Sequence, residues 1–198
     1  MHDENLPSDP VRWLKEWLTE AEHIDLPNPG AMTLCTVDPD GRPSARTVLL
    51  KGLDERGAVF YTNRLSRKGR ALEAHSQAAL VFHWDLLLRQ VVIEGQVTTV
   101  SEEESDAYFA TRPRASRLSA WASRQSEPVA SRAALDAAAE EMDRRFEGQE
   151  VPRPPHWGGY RVSLQRIEFW EGRPFRMHDR IVYIPDGQGG WRRQRLFP

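Results

Sequence analysis

Apolar residues recur along this chain in two rhythms. Leu14, Trp17, Leu18 and Ala21 fall on one face at helical spacing, behind Asp9 as an N-cap and Pro10 at the first helical position. This predicts a helix over residues 9–23, ending before Pro27 and Gly30. From Ala31 the rhythm becomes short β-rich runs: Met32–Val37, Ser44–Lys51, Ala58–Thr62, Ala78–Trp84 and Arg89–Val100, divided by turn signals such as Asp38-Pro39-Asp40-Gly41. Helical pieces interrupt them. Ser66–Ala74 is short and basic at its start, and Ser101-Glu102-Glu103-Glu104 is a capping-box pattern leading into Tyr108. Leu135, Ala139, Met142 and Phe146 give an amphipathic helix that Gly148 stops. Strands return at Tyr160–Trp170, Arg176–Ile184 and Trp191–Phe197. With no β-α-β alternation, the pattern predicts a mainly β domain with surrounding helices: an antiparallel meander, open or closed into a barrel.

A length of 198 residues suits one core, so the expectation is a single domain over 1–198, with 1–8 as a flexible N-terminus. The formal net charge of −2 and pI near 6.3 argue against a nucleic-acid or membrane surface, since such partners reward a large cationic excess. Cys35 is the sole cysteine, which excludes an intrachain disulfide and a paired-cysteine zinc motif and fits a reducing cytosol. The acidic start lacks a signal-peptide pattern, and no apolar run nears the roughly 20 residues that span a bilayer, so a cytoplasmic protein is expected. His2, His23, His75, His83 and His156 show no metal-ligand spacing, and no metal site is expected.

Arginines must therefore be concentrated locally if they matter, and cationic and hydroxyl residues do recur in a set of short segments. These are Arg46–Lys51, Tyr61-Thr62 with Ser66-Arg67-Lys68, Arg89-Gln90-Val91, Tyr108 with Arg112-Pro113-Arg114 and Ser116, and Arg176-Met177-His178-Asp179-Arg180. Guanidinium forks and ammonium groups joined by hydroxyls are what phosphate binding requires. Ser66-Arg67-Lys68 opens a helix whose first-turn N–H groups can join an anion site, or it is simply a capped, solvated helix start. Arg46 and Lys51 would face opposite sides of a regular strand, serving different phosphates unless a bulge unites them. Tyr108 and Arg112 share a helix face, and Pro113 can start a new helix with Ser116 in its first turn; the plain alternative is a solvated hinge. Arg176, His178 and Arg180 alternate along a predicted strand and so project from one face, against something electron-rich or as an exposed cationic edge.

Taken together, these segments with Phe60-Tyr61-Thr62-Asn63, Ala120-Trp121, Gln125-Ser126 and Phe169-Trp170 make the chain resemble the pyridoxamine 5'-phosphate oxidase family from about Asp9 to Pro198. The resemblance implies an FMN-binding split barrel, an antiparallel, Greek-key-like barrel of six to eight strands, in a homodimer with FMN at the subunit interface. Residues 160–198 would then complete the active site. It implies that Arg46, Tyr61, Thr62, Ser66, Arg67 and Lys68 serve FMN, with Thr47, Val48, Leu49, Leu50 and Lys51 along its ring. Gln90, Gln125, Ser126, Trp170 and Arg180 would complete that set, the late residues reaching the partner's cofactor. Lys51, Tyr108, Arg112 and Ser116 would hold the substrate phosphate, and Arg176 and His178 would orient the substrate ring as the catalytic pair.

The implied reaction is FMN-dependent oxidation of pyridoxine 5'-phosphate or pyridoxamine 5'-phosphate to pyridoxal 5'-phosphate, with O2 as acceptor, giving hydrogen peroxide and, from the amine, ammonia. Leu88 stands where an acidic residue usually precedes Arg-Gln-Val in the family, and the chain begins just before its first helix. The expectation is a lid that is missing or built differently. Two other readings stay open: a related FMN oxidase of a phenazine precursor, and a non-catalytic protein that stores FMN or pyridoxal phosphate.

Overall fold

The computed structural model describes residue 1 and residues 3–198; His2 lies outside the described residues. Helix α1 (Pro10–Glu22) starts where the sequence indicates, with Asp9 Oδ1 accepting from the Val11 and Arg12 N–H groups. Its apolar face buries Trp13, Leu14, Trp17 and Ala21. Trp13 stacks on Phe169 at 4.0 Å, and Trp17 meets the edges of Phe169 and Trp84, so the helix plugs one side of the barrel core.

The sheet comprises β1 (Ala31–Val37), β2 (Pro43–Leu49), β3 (Gly52–Asp54), β4 (Gly57–Asn63), β5 (Gln77–Trp84), β6 (Arg89–Thr99), β7 (Trp157–Val162), β8 (Arg166–Glu171), β9 (Asp179–Pro185) and β10 (Trp191–Arg195). Around it lie α2 (Arg67–Ala74), α3 (Glu102–Thr111), α4 (Arg114–Ala122) and α5 (Arg132–Arg145). One path of antiparallel neighbours runs β10-β9-β8-β6-β5-β1-β2, and a second branch runs from β6 through β7 and β4 to β3. The long β6 is the junction: Arg89–Glu94 pair with β8, whereas Val97–Thr99 pair with β7. This is the split barrel that the family resemblance implies, and the antiparallel meander that the residue pattern predicts.

Two strands depart from the sequence reading. The run Tyr160–Trp170 is not one strand but two, β7 and β8, because Ser163–Gln165 cross over β6 where it changes partner. Ser163 N–H donates to the Gln96 carbonyl and Gln165 N–H to the Glu94 carbonyl. The short β3 was hidden in the segment after Leu50. Sequence reading therefore gives eight strand runs where the sheet has ten strands.

The crossing explains Gly95. A Cβ there would lie 1.8 Å from the Ser163 carbonyl oxygen, so any side chain must displace backbone. Gly95→Ala is expected to cost about 1–3 kcal/mol or more through overpacking, lowering the melting temperature by at least several degrees. A thermal melt that matches the unsubstituted protein would refute the crossing geometry.

Described residues of the N-terminal stretch contact the last strands. Tyr183 donates to the Pro7 carbonyl, Arg193 to the Leu6 carbonyl, and Arg195 pairs with Asp3. Helix α5 forms as expected, yet its stripe is buried only towards its C-terminal end. Leu135 is exposed, whereas Phe146, next to Leu118 and Val151, closes a small core with α4.

Candidate functional site

A cleft of about 630 Å³ opens between the end of β2, strand β4, and helices α3 and α4. Of the residues singled out from sequence, it gathers Thr47, Val48, Leu49, Lys51, Tyr61, Thr62, Lys68, Tyr108, Arg112, Ser116 and Gln125. Three cations line it, and among the described residues no Asp or Glu does. Such a surface attracts anions because no carboxylate competes for the positive groups.

One end is built around α2. Ser66 caps that helix, its Oγ accepting from Gly69 N–H, and the Gly69 backbone packs so closely on the Arg64 carbonyl that a Cβ would sit 1.8 Å from its oxygen. Lys68 Nζ lies 3.2 Å from Thr62 Oγ1, 3.3 Å from Ser66 Oγ and 2.9 Å from Gln125 Oε1. Ser126 Oγ accepts from Arg67 N–H, and Thr62 also donates to Gln125. Gln125 and Ser126 thus lie beside Lys68, Thr62 and the start of α2 in their own chain.

Arg46 and Arg67 stand just outside the cleft lining. Arg46 donates to Thr36 Oγ1 at 2.7 Å, Ser44 Oγ at 2.6 Å and the Leu34 carbonyl. Arg67 is paired with Asp38, whose carboxyl it holds below the usual range. Leu50 packs on the core, and its N–H bonds to the Gly30 carbonyl. Lys51 N–H turns to the Val59 carbonyl. The strand therefore breaks before Lys51, and counting alternation from Arg46 to Lys51 does not apply.

Burial, and then the nearby Arg46, push the Lys68 ammonium down from 10.5 to about 8. Without an anion, the folded protein gives up this proton more readily than the unfolded chain. The site thus favours folding more as pH rises from about 8 towards 10.5. A bound phosphate reverses that preference, so phosphate affinity is expected to be full below about pH 8 and to fall above it. If this end takes a flavin phosphate, as the resemblance implies, Lys68→Met is expected to weaken that binding by about one to two decades near neutral pH and to flatten the pH dependence. Flavin fluorescence titrations on either side of this pH check it, and a wild-type affinity constant across the range refutes it.

The other end holds Arg112, with the backbone in extended geometry before Pro113 and α4 following directly. Arg112 Nη1 is buried with no hydrogen-bond partner among the described residues. Burial pushes the guanidinium pKa down. Tyr108 and Ser116 line the same end, and Tyr61 stacks on Tyr108 at 4.1 Å. The sequence reading missed Trp157, Asn63, Thr111, Ser119 and Ser123, which also line the cleft. Ser116, Ser119 and Ser123 recur at helical spacing, a signal that was available in the sequence.

The remaining residues form a second group that does not line this cleft. Register places His83, Gln90, Trp170 and Arg180 side by side across β5, β6, β8 and β9. Their chain neighbours Phe82, Val91, Phe169 and Ile181 are buried in the core, so the row occupies the opposite face. Arg180 donates to Glu168 Oε1 at 2.7 Å. Arg176 and His178 do not lie on a strand, which corrects the alternation argument. Pro174–Arg176 form a 3-10 turn in which Phe175 and Arg176 have φ of 58° and 60°, and β9 begins only at Asp179. His178 is instead placed by Arg173 N–H, which donates to its Nδ1 at 3.1 Å, and by the Trp170 ring 4.8 Å away. Arg89, part of one cationic segment, is structural: it pairs with Glu20 and lies over Trp17.

Among the described residues no group of three His, Cys, Asp or Glu is arranged to hold a metal ion, and no helix is long and apolar enough to cross a membrane.

Comparison with known proteins gives the following. A family profile described as pyridoxamine 5'-phosphate oxidase matches residues 18–145, and one described as the pyridoxine 5'-phosphate oxidase C-terminal dimerisation region matches residues 157–198. A pyridoxine/pyridoxamine 5'-phosphate oxidase of Rubrobacter xylanophilus is 60% identical over 96% of this chain and 87% of its own length. One of Bordetella petrii is 55% identical over 99% of this chain and 92% of its own length. Among solved structures, PhzG from Burkholderia lata in complex with tetrahydrophenazine-1-carboxylic acid is 35% identical, covering 98% of this chain and 95% of that chain with a TM-score of 0.90.

Proposed function

The chain belongs to the pyridoxine/pyridoxamine 5'-phosphate oxidase family, and on that premise we propose how its own residues carry out the reaction. It oxidises pyridoxine 5'-phosphate or pyridoxamine 5'-phosphate to pyridoxal 5'-phosphate. The observation that carries the residue assignment is the acid-free cleft, with Lys68 at one end and the partnerless Arg112 Nη1 at the other. Two separated cationic ends fit two phosphate-bearing molecules lying side by side, which is what FMN beside a B6 phosphate requires.

When bound, FMN would supply the hydride acceptor for C4' of the substrate, with dioxygen as the final electron acceptor and hydrogen peroxide as its product. Lys68, Thr62 and Ser66 hold its phosphate, with Arg46 adding positive potential from behind, and Arg67 joins them on giving up its ion pair with Asp38. Gln125 and Ser126, now bonded to Lys68, Thr62 and the Arg67 N–H, frame the same end. Thr47, Val48 and Leu49 run along the ring system. Lys51, Tyr108, Arg112 and Ser116 take the substrate phosphate as charge-assisted and hydroxyl contacts.

The C-terminal group acts across a homodimer: Gln90, Trp170 and Arg180 meet the flavin of the second subunit, and Arg176 and His178 orient the substrate ring there. Matching of residues 157–198 to a dimerisation region supports this, as does the separation of these residues from their own chain's cleft. For the alcohol, the products are the aldehyde and hydrogen peroxide. For the amine, water is also consumed and ammonia released.

An oxidase of phenazine precursors would need flavin but no second phosphate site, so the convergence of Lys51, Tyr108, Arg112 and Ser116 weighs against it. The test adds each B6 phosphate to FMN-loaded protein and follows pyridoxal phosphate and peroxide together, with light scattering for subunit count. A yellow dimer with one FMN per subunit and equal yields of both products is expected. Bound flavin without turnover of either phosphate would indicate a storage protein, and a colourless monomer would overturn the whole assignment.

A further inference from the structure

Arg112 is unusual among this protein's half-buried arginines in making neither an ion pair nor a side-chain hydrogen bond within the described residues; Arg46 also lacks an ion pair but donates to Leu34, Thr36 and Ser44. Arg161, by contrast, is paired with Asp54 and Glu104, and Arg153 with Glu102 and Asp106. What holds Arg112 is aromatic. Its guanidinium carbon lies 4.7 Å from the centroid of a Trp157 ring and 5.4 Å from that of Phe109.

Trp157 is well fixed for such a task. It is the first residue of β7, is only 6% exposed, and packs edge-on against Phe109 at 5.0 Å. Tyr61 and Tyr108 lie nearly parallel to it, at 10° and 7°. The stack is clamped from behind by backbone: a Cβ on Gly159 would come within 2.7 Å of the Tyr61 ring. The indole is therefore braced by the rings packed against it, Tyr61, Tyr108 and Phe109, while it also borders the cleft.

We propose that Trp157 is a positioning residue for the substrate phosphate, its indole face holding the Arg112 guanidinium at the cleft without neutralising it. This rests on the assignment of Arg112 to that phosphate. A carboxylate would fix the guanidinium too, but it would occupy the N–H donors and cancel the charge that the phosphate needs. A ring face attracts the cation through its quadrupole and leaves the in-plane N–H groups free for the ligand. The partnerless Nη1 agrees with this division of labour.

The experiment is a double-mutant cycle on the FMN-loaded enzyme with pyridoxine 5'-phosphate. Trp157→Leu is expected to raise KM about 3- to 30-fold with kcat little changed. Trp157→Phe, which keeps a ring face, is expected to rescue most of that rise. In an Arg112→Ala background Trp157→Leu should have no further effect on KM. The same rise in both backgrounds, or a fall in kcat at constant KM, overturns the proposal while leaving Arg112 as a phosphate ligand. An Arg112→Ala enzyme with unchanged KM overturns that assignment and the proposal with it. If Trp157→Leu does not fold, the cycle is run with Trp157→Phe, whose smaller rise in KM must likewise vanish when Arg112 is absent.

Discussion

Replacing Arg176 with leucine is expected to slow reduction of bound FMN by pyridoxine 5'-phosphate about 100-fold, the scale of loss that small misplacement of reacting atoms can cause. The protein should stay folded, dimeric and yellow. Arg176 makes no hydrogen bond or ion pair within the described residues, and it sits in an exposed turn beside Phe175, which is 96% exposed. Nothing in its own chain depends on it, so its loss should be felt only by a ligand. His178→Ala is expected to act in the same direction for a geometric reason. With Nδ1 accepting from Arg173 N–H, Nε2 is the ring nitrogen left to carry a proton and donate to a ligand. Removing it deprives the substrate ring of an oriented hydrogen bond. Anaerobic single-turnover reduction measures both variants, and wild-type rates in both would reduce this pair to an exposed cationic turn.

The second large effect is at the opposite end of the substrate. Arg112→Ala removes a charge-assisted contact to phosphate, at a cost of about 1.5–3 kcal/mol, or about one to two decades in substrate affinity. FMN affinity should be untouched, because Lys68, Thr62 and Ser66 form a separate cluster of contacts. The substitution also removes a partly buried cation with a partnerless Nη1, which offsets the loss of its packing on Trp157 and Phe109, so the ligand-free protein should remain folded. Equal losses for FMN and substrate would mean that Arg112 belongs to the other phosphate.

How far the sequence carries this reading depends on the kind of signal. Caps and alternation are local, and they were legible: Asp9, Ser66 and Ser101 each accept the N–H bonds expected of a cap, and β1, β5 and β6 bury alternate residues. The cleft residues Lys51, Tyr108, Arg112 and Ser116 were legible as chemistry and as a family pattern. Long-range facts were not. Nothing near Ser163 announces that its carbonyl will lie on Gly95, so one strand was read where there are two. The alternation of Arg176, His178 and Arg180 looked like a strand because side-chain type was counted and the turn after Pro174, with positive φ at Phe175 and Arg176, was not. Trp157 was invisible for a different reason. A tryptophan after Pro154, Pro155 and His156 reads as core, and only its distance to Arg112 gives it a further role.

The shared strand β6 has a consequence for how the chain can be made. Both partners on its far side, β7 and β8, are supplied by residues from Trp157 onward, so a nascent chain lacking them holds β6 with β5 alone. Until the last segment emerges, the middle of the future barrel is a raw sheet edge, a template on which a second unfinished chain can pair. Closing the barrel must then wait for contacts distant in sequence, the kind that slow folding. A polypeptide that stops before Trp157 is thus a precursor with a sticky seam, and crowding of such chains during synthesis is where its losses to aggregation would arise.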